Sequence, residues 1–348
     1  MRSRFTGLCA AVLLACAVAA PAGHATSADD VTLPGATAPA VAAAPPADVV
    51  GYLRSLSGNR TVTGQHNREP NSQPSKWTAK VHDITGVYPG LWGGDFLFAS
   101  DDVNNRQTMV NQARTEWNNG SLVTLTWHVC PPTRGSSCGW DPGAGIQDNL
   151  SDDQWNQLIT DGTALNTAWK RRLDEAVPYL RQLKDAGVPV LFRPVHEMND
   201  GWSWWGGRSG ANGSRKLYQI THDYLKNTQS LSNLVWVWNV KDLDAGGMAS
   251  YYPGDAYVDV VSLDAWNSNF PSATYYQTLQ SIAGSKPLAL AEVGKVPSPA
   301  EVAGQPKWTY FMVWAEYLTD PAFNTGQGVK NTYYDPRFLR QGALGRRG

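Results

Sequence analysis

Residues 189–207, PVLFRPVHEMNDGWSWWGG, join a buried-strand pattern to a polar and aromatic turn. The apolar run over 189–196 is typical of a parallel strand that is covered on both faces. Arg193, His196 and Glu197 stand at the end of this run, and three tryptophans follow within four positions between glycines. Polar side chains gathered at the end of a buried strand indicate a site at the carboxyl edge of a parallel sheet.

Seven further β-rich runs occur along the chain, and segments with helical periodicity lie between them. The eight runs cover residues 62–66, 88–96, 121–129, 189–196, 234–240, 258–266, 287–293 and 310–314. The helical patterns cover residues 104–119, 163–186, 214–230 and 272–282. This alternation predicts an α/β protein with a single catalytic domain built as a (β/α)8 TIM barrel. The alternative is a doubly wound open sheet, which usually carries a Gly-rich phosphate loop after its first strand, and this chain has none.

The N-terminus is typical of an export signal over residues 1–28, with Arg2 and Arg4 before a short apolar run. Residues 13–16, Leu-Leu-Ala-Cys, also resemble a lipoprotein processing box, which would leave a lipid-anchored Cys16. We therefore expect a secreted protein, with a lipid-anchored cell-surface form as the alternative. The apolar run is too short to span a bilayer, so no membrane span is expected.

An Ala/Pro/Thr-rich linker is predicted over residues 29–47, followed by the catalytic domain over 48–344. Two of the four cysteines lie in the predicted signal. The other two, Cys130 and Cys138, are close enough in sequence for a disulfide in an oxidising compartment. They have no nearby histidine pair that would complete a zinc site.

The composition argues against nucleic-acid and anionic-membrane partners, because the formal net charge is only -1. The chain contains 15 Trp and 14 Tyr among its 348 residues. Indole rings present a flat apolar face and one N–H donor, which suits sugar binding. We expect about half of the indoles to serve as core packing.

Two glutamates, Glu197 and Glu292, follow apolar strands that lie on opposite sides of the predicted ring. Glycoside hydrolysis needs such a pair, because one carboxyl protonates the leaving oxygen and the other attacks or activates water. A lone glutamate at this position could equally be a rim salt bridge, and the histidines near the strand ends could be core histidines. Arg193 would supply fixed positive charge that keeps the nucleophile ionised.

Other catalytic motifs are missing from the sequence. Position 200 is Asp200 rather than a second histidine, so the zinc-protease helix signature fails. No serine nucleophile elbow and no phosphate-binding loop of the P-loop type occur. We expect a site with no metal and no cofactor.

Residues 193–206 resemble the signature of the fourth strand of glycoside hydrolase family 26, most members of which are β-mannanases. Four further segments are similar to the same family: residues 64–66, 126–128, 252–261 and 291–294. The resemblance implies a retaining enzyme in which Glu197 is the acid/base and Glu292 the nucleophile. It also implies that His128, His196, Trp202 and Trp314 contact the sugar. With the other strand-end and turn residues, the predicted substrate-binding set is His128, Arg193, His196, Trp202, Trp205, Asp264, Trp266 and Trp314. Within that set, Trp202 is expected to be an aromatic platform and Trp314 the floor of the site.

Two positions depart from the family pattern. Trp266 stands two residues after Asp264, where family members usually carry a tyrosine whose hydroxyl reaches the nucleophile. Ala315 follows Trp314, where an arginine is common among mannanases. Both departures could alter subsite geometry and substrate preference.

The expected function is a retaining endo-β-1,4-mannanase acting by double displacement on mannan-type plant polysaccharide. A second possibility is another β-glycanase of the same family, a β-1,3-xylanase or a mixed-linkage β-glucanase. A third is a carbohydrate-binding barrel that has lost catalysis. The expected partner is a β-glycan polysaccharide or oligosaccharide, bound by a monomer.

Overall fold

The residues that the computed structural model describes, 45–345, form a closed ring of parallel strands with helices between them. The strands are β1 (Thr61–Val62), β2 (Gly64–His66), β3 (Leu91–Asp95), β4 (Leu122–Thr126), β5 (Val190–Arg193), β6 (Leu234–Lys241), β7 (Val260–Ala265), β8 (Leu288–Val293), β9 (Trp308–Trp314) and β10 (Phe338–Leu339). Each strand from β2 to β9 pairs in parallel with the next, and β9 also pairs with β2, which closes the ring. The prediction of a (β/α)8 barrel is therefore confirmed, and the open-sheet alternative is wrong.

The first strand of the ring consists of two pieces, β1 and β2, separated by Thr63. Thr63 donates its N–H to the carbonyl of Leu339 at 2.9 Å, so the chain leaves the ring pairing at this point. The short strand β10 pairs with β1 outside the ring. The ring itself thus has eight positions, with β1 and β2 sharing one of them.

Helices surround the strands, and five of the eleven within residues 45–345 follow a residue whose side chain accepts a hydrogen bond from a backbone N–H of the first turn. They are α1 (Val49–Leu56), α2 (Lys76–Thr85), α3 (Ser100–Asn104), α4 (Arg106–Asn118), α5 (Asp152–Ile159), α6 (Ala164–Asp174), α7 (Val177–Asp185), α8 (Ser214–Asp223), α9 (Ala273–Ala283), α10 (Pro299–Gly304) and α11 (Gly326–Tyr334). The single helix predicted over 163–186 is wrong, because the segment divides into α6 and α7. Pro178 lies in the first turn of α7. Because proline has no N–H and its ring clashes with the preceding turn, it is tolerated at a helix start but not inside a helix. Gly187 follows α7 at φ 68°, as predicted for a residue just beyond a helix end.

The strand predicted over 189–196 ends three residues earlier than expected, at Arg193. Pro194 has no N–H to donate to a neighbouring strand. Val195 and Glu197 then adopt left-handed backbone conformations, with φ of 53° and 47°. Such values are unusual for residues that carry a Cβ and cluster at functional sites. The backbone leaves the sheet at this point, and Glu197 lies on a turn rather than on the strand.

Eight of the 15 tryptophans are fully buried, in line with the expectation that about half serve as packing. They are Trp92, Trp127, Trp169, Trp204, Trp205, Trp236, Trp238 and Trp308. The remaining indoles include those that border the carboxyl ends of the strands.

Several predictions concern residues that the structure does not describe. The export signal over 1–28, the lipidation site at Cys16 and most of the linker over 29–47 lie outside residues 45–345. Within the described range, none of the helices has the length and apolar character that crossing a membrane requires.

Candidate active site

A cleft of about 500 Å³ opens at the carboxyl ends of the barrel strands. Seven of the ten residues predicted to act in the site line it: His128, His196, Glu197, Trp202, Trp266, Glu292 and Trp314. The other three, Arg193, Trp205 and Asp264, are buried beneath or beside the cleft and do not line it. The cleft has the size of an ordinary small-molecule site and combines aromatic walls with a few polar groups.

Two glutamates and one aspartate converge at the bottom of the cleft. Glu197 follows β5, Asp264 lies on β7 and Glu292 lies on β8. One carboxylate oxygen of each of the three lies within 4.8 Å of the other two. Retaining glycosidases separate their carboxyl groups by about 5–5.5 Å, whereas inverting enzymes leave about 6.5–9.5 Å for a water molecule. The spacing of Glu197 and Glu292 therefore suits direct attack by one of them.

Arg193 holds two of these carboxylates from below. Its Nη1 lies 2.6 Å from Oδ2 of Asp264, its Nη2 contacts Oε1 of Glu292, and Nη2 also donates to Thr126 Oγ1 at 3.1 Å. Burial disfavours the charged guanidinium, but the carboxylates of Asp264 and Glu292 raise the pKa of Arg193 above its usual value. Arg193 is thus a fixed cation beside Glu292. Its side chain is buried beneath the cleft, and the sugar contact predicted for Arg193 stays a prediction.

The three converging carboxylates have the spacing of a possible cation site. Carboxylate oxygens would suit a hard divalent ion. However, the Arg193 guanidinium already pairs with Asp264 and Glu292. The positive charge that these two acids need is supplied by the chain itself.

Glu197 lies in a different environment from Glu292. Its Oε2 accepts a hydrogen bond from Trp202 Nε1 at 2.5 Å and lies 3.3 Å from Lys241 Nζ. Its backbone N–H donates to Asn239 Oδ1 at 2.6 Å, which fixes the turn after β5 to β6. Burial, and then the negative charge of Glu292, raise the pKa of Glu197 to about 7. Glu197 can therefore hold a proton near neutral pH, as a general acid must.

Asp264 is fully buried and acts on its neighbours rather than on a ligand. It accepts a hydrogen bond from Asn239 Nδ2 at 2.7 Å in addition to its ion pair with Arg193. Because Asn239 also holds the backbone of Glu197, one amide connects the turn of Glu197 with the ion pair beneath Glu292. Asp264 thus supports the groups around it, and the sugar contact predicted for it stays a prediction.

Two histidines stand between the carboxylates and the aromatic wall. The rings of His128 and His196 meet edge to face at 4.5 Å, and His128 Nδ1 lies 2.5 Å from Asp95 Oδ2. Although burial opposes it, Asp95 raises the pKa of His128. Burial, and then the charge of His128, lower the pKa of His196 well below its usual value. His196 is therefore a neutral ring at the cleft wall, while His128 is the histidine that can hold a proton.

The tryptophans of the turn after β5 do not all have the same role. Trp205 is fully buried and donates its indole N–H to the carbonyl of His196 at 2.8 Å, so it supports the wall, and its predicted contact with substrate stays a prediction. Trp202 lines the cleft, but one face of its ring stacks on Trp140 at 5.3 Å with an interplanar angle of 27°. Trp140 is 41% exposed. The indole that presents a free surface to the cleft on this side is therefore Trp140.

Sequence reasoning missed Trp140 and Lys241. Trp140 lies in the long segment after β4, where nothing marks one aromatic residue as exposed. Lys241 is the last residue of β6, so the rule that active-site residues stand at strand ends could have found it. Trp314 was predicted, but its stacking on His66 at 4.1 Å was not.

A disulfide joins Cys130 to Cys138, as predicted, with a Cα–Cα distance of 5.9 Å. Arg172 donates to the carbonyls of Arg134 and Gly135 inside the closed loop. The bridge ends two residues before Trp140. The segment that carries the exposed indole is thus held at its base.

The chain matches the family model of Glycosyl hydrolase family 26 over residues 41–343. A mannan endo-1,4-beta-mannosidase of Thermothelomyces thermophilus is 31% identical over 302 residues, which cover 81% of this chain and 58% of that protein. The mannan endo-1,4-beta-mannosidase A and B of Caldalkalibacillus mannanilyticus is 30% identical, over 85% of this chain and 61% of that protein. The chain therefore spans about three fifths of the length of these curated relatives.

Among solved structures, GH26A from Muricauda sp. is similar to this chain, with a TM-score of 0.79 and 34% sequence identity. The match covers 85% of this chain and 95% of that one. The residues matched by the family model, 41–343, include both glutamate-bearing strands.

Proposed function

The chain belongs to glycosyl hydrolase family 26, and on this basis we propose that it is a retaining endo-β-1,4-mannanase that acts by double displacement. Its two similar curated relatives carry the name mannan endo-1,4-beta-mannosidase. The observation that carries the proposal is the pair Glu197 and Glu292, which lie close together but in opposite electrostatic environments.

In the first step, Glu292 attacks the anomeric carbon, and the bond from that carbon to the leaving oxygen breaks. Arg193 contacts the attacking carboxylate of Glu292, so a fixed positive charge lies beside the nucleophile. Glu197 gives its proton to the departing oxygen, which leaves as a hydroxyl. The products are a glycosyl ester on Glu292 and a carboxylate at Glu197.

In the second step, a water molecule enters where the leaving group was. Glu197 accepts a proton from this water, and the resulting hydroxide attacks the same anomeric carbon. The ester bond breaks, Glu292 is released as a carboxylate, and Glu197 is protonated again. Two displacements at one carbon retain its configuration.

Aromatic and imidazole groups would orient the sugar on both sides of the cleaved bond. Trp314 and Trp140 offer indole surfaces at different parts of the cleft wall. His196, neutral because of its burial, can hydrogen-bond to hydroxyl groups without introducing a charge. No metal or cofactor enters this scheme, because the proton and the nucleophile both come from the chain.

A second candidate is another β-glycanase of the family, a β-1,3-xylanase or a mixed-linkage β-glucanase. Trp266 and Ala315 support this second candidate, because each stands at a position where the family pattern has another residue. Trp266 lies directly beside Glu292, so its shape bears on the sugar that fits there. A carbohydrate-binding barrel without catalysis would have no use for the asymmetric pair of glutamates.

The test is reducing-sugar release from β-1,4-mannan, β-1,3-xylan and mixed-linkage β-glucan, with Glu197→Ala and Glu292→Ala as variants. We expect mannan to be the preferred polymer and both variants to lose activity on it. With a dinitrophenyl glycoside, whose leaving group needs no proton, Glu197→Ala should recover turnover on addition of azide and form a β-glycosyl azide. Glu301→Ala, a change outside the cleft, is the control. An α-glycosyl azide, or equal activity of Glu197→Ala on mannan, would contradict the mechanism.

We also propose that residues 1–28 direct export and that the enzyme acts outside the cell as a monomer. The Cys130–Cys138 disulfide supports this location, since such bonds persist in oxidising compartments. When all 348 residues are expressed in a bacterial culture, mass analysis of the recovered protein should find that it begins near residue 29. A lipid-modified Cys16 in the membrane fraction would favour the anchored alternative. Size-exclusion chromatography with light scattering tests the monomer.

A further inference from the structure

Lys241, at the end of β6, lies beside Glu197 and lines the cleft. Its Nζ is 3.3 Å from Glu197 Oε2 and 3.0 Å from Asp200 Oδ2. Only 19% of its side chain is exposed. A half-buried lysine that contacts the acid/base candidate is a costly arrangement unless the charge is used.

The side chain of Lys241 is not needed to fasten the turn after β5. The backbone already does this, because Lys241 N–H donates to Asn199 Oδ1 at 2.7 Å and Asn199 Nδ2 donates to the Lys241 carbonyl at 2.9 Å. The Asn239 contact to the N–H of Glu197 holds the same turn a second time. The ammonium group pairs with Asp200 on this turn and also lies against the carboxyl of Glu197.

Charged or titratable groups near Glu197 come from β4, β5, β6, β7 and β8, or from the residues that follow them. They are His128 after β4, Arg193 and His196 on and after β5, Asp200 on its own turn, Lys241 on β6, Asp264 on β7 and Glu292 on β8. The two cations are placed at different carboxylates: Arg193 contacts Glu292, and Lys241 contacts Glu197.

Double displacement moves one negative charge between these two places. Before the first step, the charge lies on Glu292 beside Arg193, and Glu197 is protonated. In the glycosyl-enzyme, Glu292 is a neutral ester and the charge lies on Glu197 beside Lys241. The site thus contains one cation for each location of the migrating charge.

We propose that Lys241 is a positioning residue that stabilises the carboxylate of Glu197 in the glycosyl-enzyme and so promotes the second, hydrolytic step. This inference rests on the proposed double-displacement function. Lys241 acts through Glu197, while Arg193 serves the first step through Glu292.

The electrostatics of the resting site agree with this division. Burial and the charge of Glu292 raise the pKa of Glu197, whereas Lys241 opposes the rise. Burial would lower the pKa of Lys241, but Glu197 and Asp200 raise it above its usual value. Lys241 therefore carries a charge beside Glu197, and esterification of Glu292 removes the negative charge that opposes ionisation of Glu197.

The test compares Lys241→Met with wild-type enzyme in two assays: the pH profile of kcat/KM is measured on a natural oligosaccharide of the preferred sugar, and the burst is measured on its dinitrophenyl glycoside. Because Lys241 favours the ionised form of Glu197, its loss should move the alkaline limb of kcat/KM upward by about one pH unit. The hydrolytic step should slow about tenfold, so that a stopped-flow trace shows a burst of dinitrophenol near one equivalent per enzyme. Azide, which needs no base, should relieve the slow step. Lys241→Arg, which keeps the charge, should retain the wild-type alkaline limb of kcat/KM and show a smaller burst than Lys241→Met.

Lys286→Met is the matched control, because Lys286 is similarly buried, with 15% of its side chain exposed, and pairs with Asp255 away from the cleft. It should leave both the pH limb and the burst unchanged. The inference would be overturned if Lys241→Met kept the wild-type alkaline limb of kcat/KM and showed no burst. It would also be overturned if the rates of both steps fell equally while this limb stayed unchanged. A wild-type enzyme that releases no sugar from any polymer or aryl glycoside would instead overturn the proposed function. Melting temperatures of all variants separate these outcomes from misfolding.

Discussion

The indole nitrogen of Trp266 lies 3.3 Å from Oε2 of Glu292. The other oxygen of Glu292 contacts Arg193, so each carboxylate oxygen has its own donor. Trp266 is placed by its backbone, whose N–H donates to Asp242 Oδ1 at 3.0 Å, and by its ring, which packs against Tyr317 at 5.0 Å. The indole thus reaches the position that a tyrosine hydroxyl usually serves in this family, although it approaches with a larger ring.

Replacing Trp266 with phenylalanine should weaken catalysis, because it removes a hydrogen bond to a charged oxygen. Such bonds contribute about 1.5–3 kcal/mol, which corresponds to roughly ten- to hundredfold in kcat/KM. Trp266→Tyr should retain more activity than Trp266→Phe, since it keeps a donor. The measurement is kcat/KM on the preferred oligosaccharide, with Trp77→Phe on α2 as control. Equal rates for Trp266→Phe and wild type would show that this bond has no catalytic effect.

The pH profile should have an alkaline limb set by Glu197. Burial and the neighbouring Glu292 raise the pKa of Glu197 to about 7. The first step needs the protonated form, so kcat/KM should fall as pH rises through about 7. Initial rates between pH 4 and pH 9 on a natural oligosaccharide test this. On a dinitrophenyl glycoside, which needs no proton in the first step, the limb should largely disappear; its persistence would assign the limb to another group.

The same raised pKa should make the folded state less stable at alkaline pH. Glu197 has a folded pKa near 7 and an ordinary value near 4.5. Because the folded value is the higher one, its stabilising effect is complete below pH 4.5 and is lost as pH rises through 7, a change of about 3 kcal/mol. Glu197→Gln cannot ionise, so its melting temperature relative to wild type should increase from pH 5 to pH 8.

Glu301→Gln is the control for this stability experiment and should show the opposite trend. Burial opposes it, but the N–H of Ser298 and the charge of Lys295 lower the pKa of Glu301. The wild-type carboxylate therefore gains stability as pH rises, and glutamine loses that gain. A melting difference for Glu197→Gln that stays constant with pH would contradict the raised pKa.

Removing the indole of Trp140 should weaken substrate binding more than it slows the chemistry. Trp140 is the exposed member of its stack with Trp202 and has no hydrogen bond to either glutamate among the described residues. Trp140→Ala should raise KM for long oligosaccharides about tenfold, equivalent to about 1.4 kcal/mol, with a smaller effect on kcat. Trp140→Phe should recover part of the loss. A fall in kcat alone would indicate instead that Trp140 acts through Trp202 on Glu197.

The disulfide should stabilise the fold and the segment that carries Trp140. Closing a loop of this length is worth about 2–3 kcal/mol in the chain-entropy description. The double variant Cys130→Ser, Cys138→Ser should therefore melt at a lower temperature and show a raised KM on long substrates. A reducing agent should lower the melting temperature of wild type but not that of the double variant. Identical melting for the two proteins without reductant would contradict a stabilising role.

Much of the site could be predicted from the chain because strand ends of a barrel meet at one face. Glu197, Glu292, His128 and Trp314 each follow an apolar run, and all four line the cleft. Lys241 stands at the end of such a run as well, so the same rule predicts that it lies in the site. Trp205 shows the limit of the rule, because it belongs to the aromatic turn by sequence yet is fully buried.

The order of residues by itself determined the alternation of buried strands with helices, the pairing of the two cysteines, and which strand ends carry acids. These follow from local periodicity and short spacing, which any reader of the chain can measure. Only the tertiary structure decided which oxygen of each glutamate meets which cation, that Trp140 rather than Trp202 has the exposed face, and that Arg193 and Asp264 lie below the cleft. These relations join residues far apart in sequence, and they depend on ring closure and on the left-handed turn at Val195 and Glu197. Burial and direction of a side chain are properties of its neighbours in space, which sequence spacing does not measure.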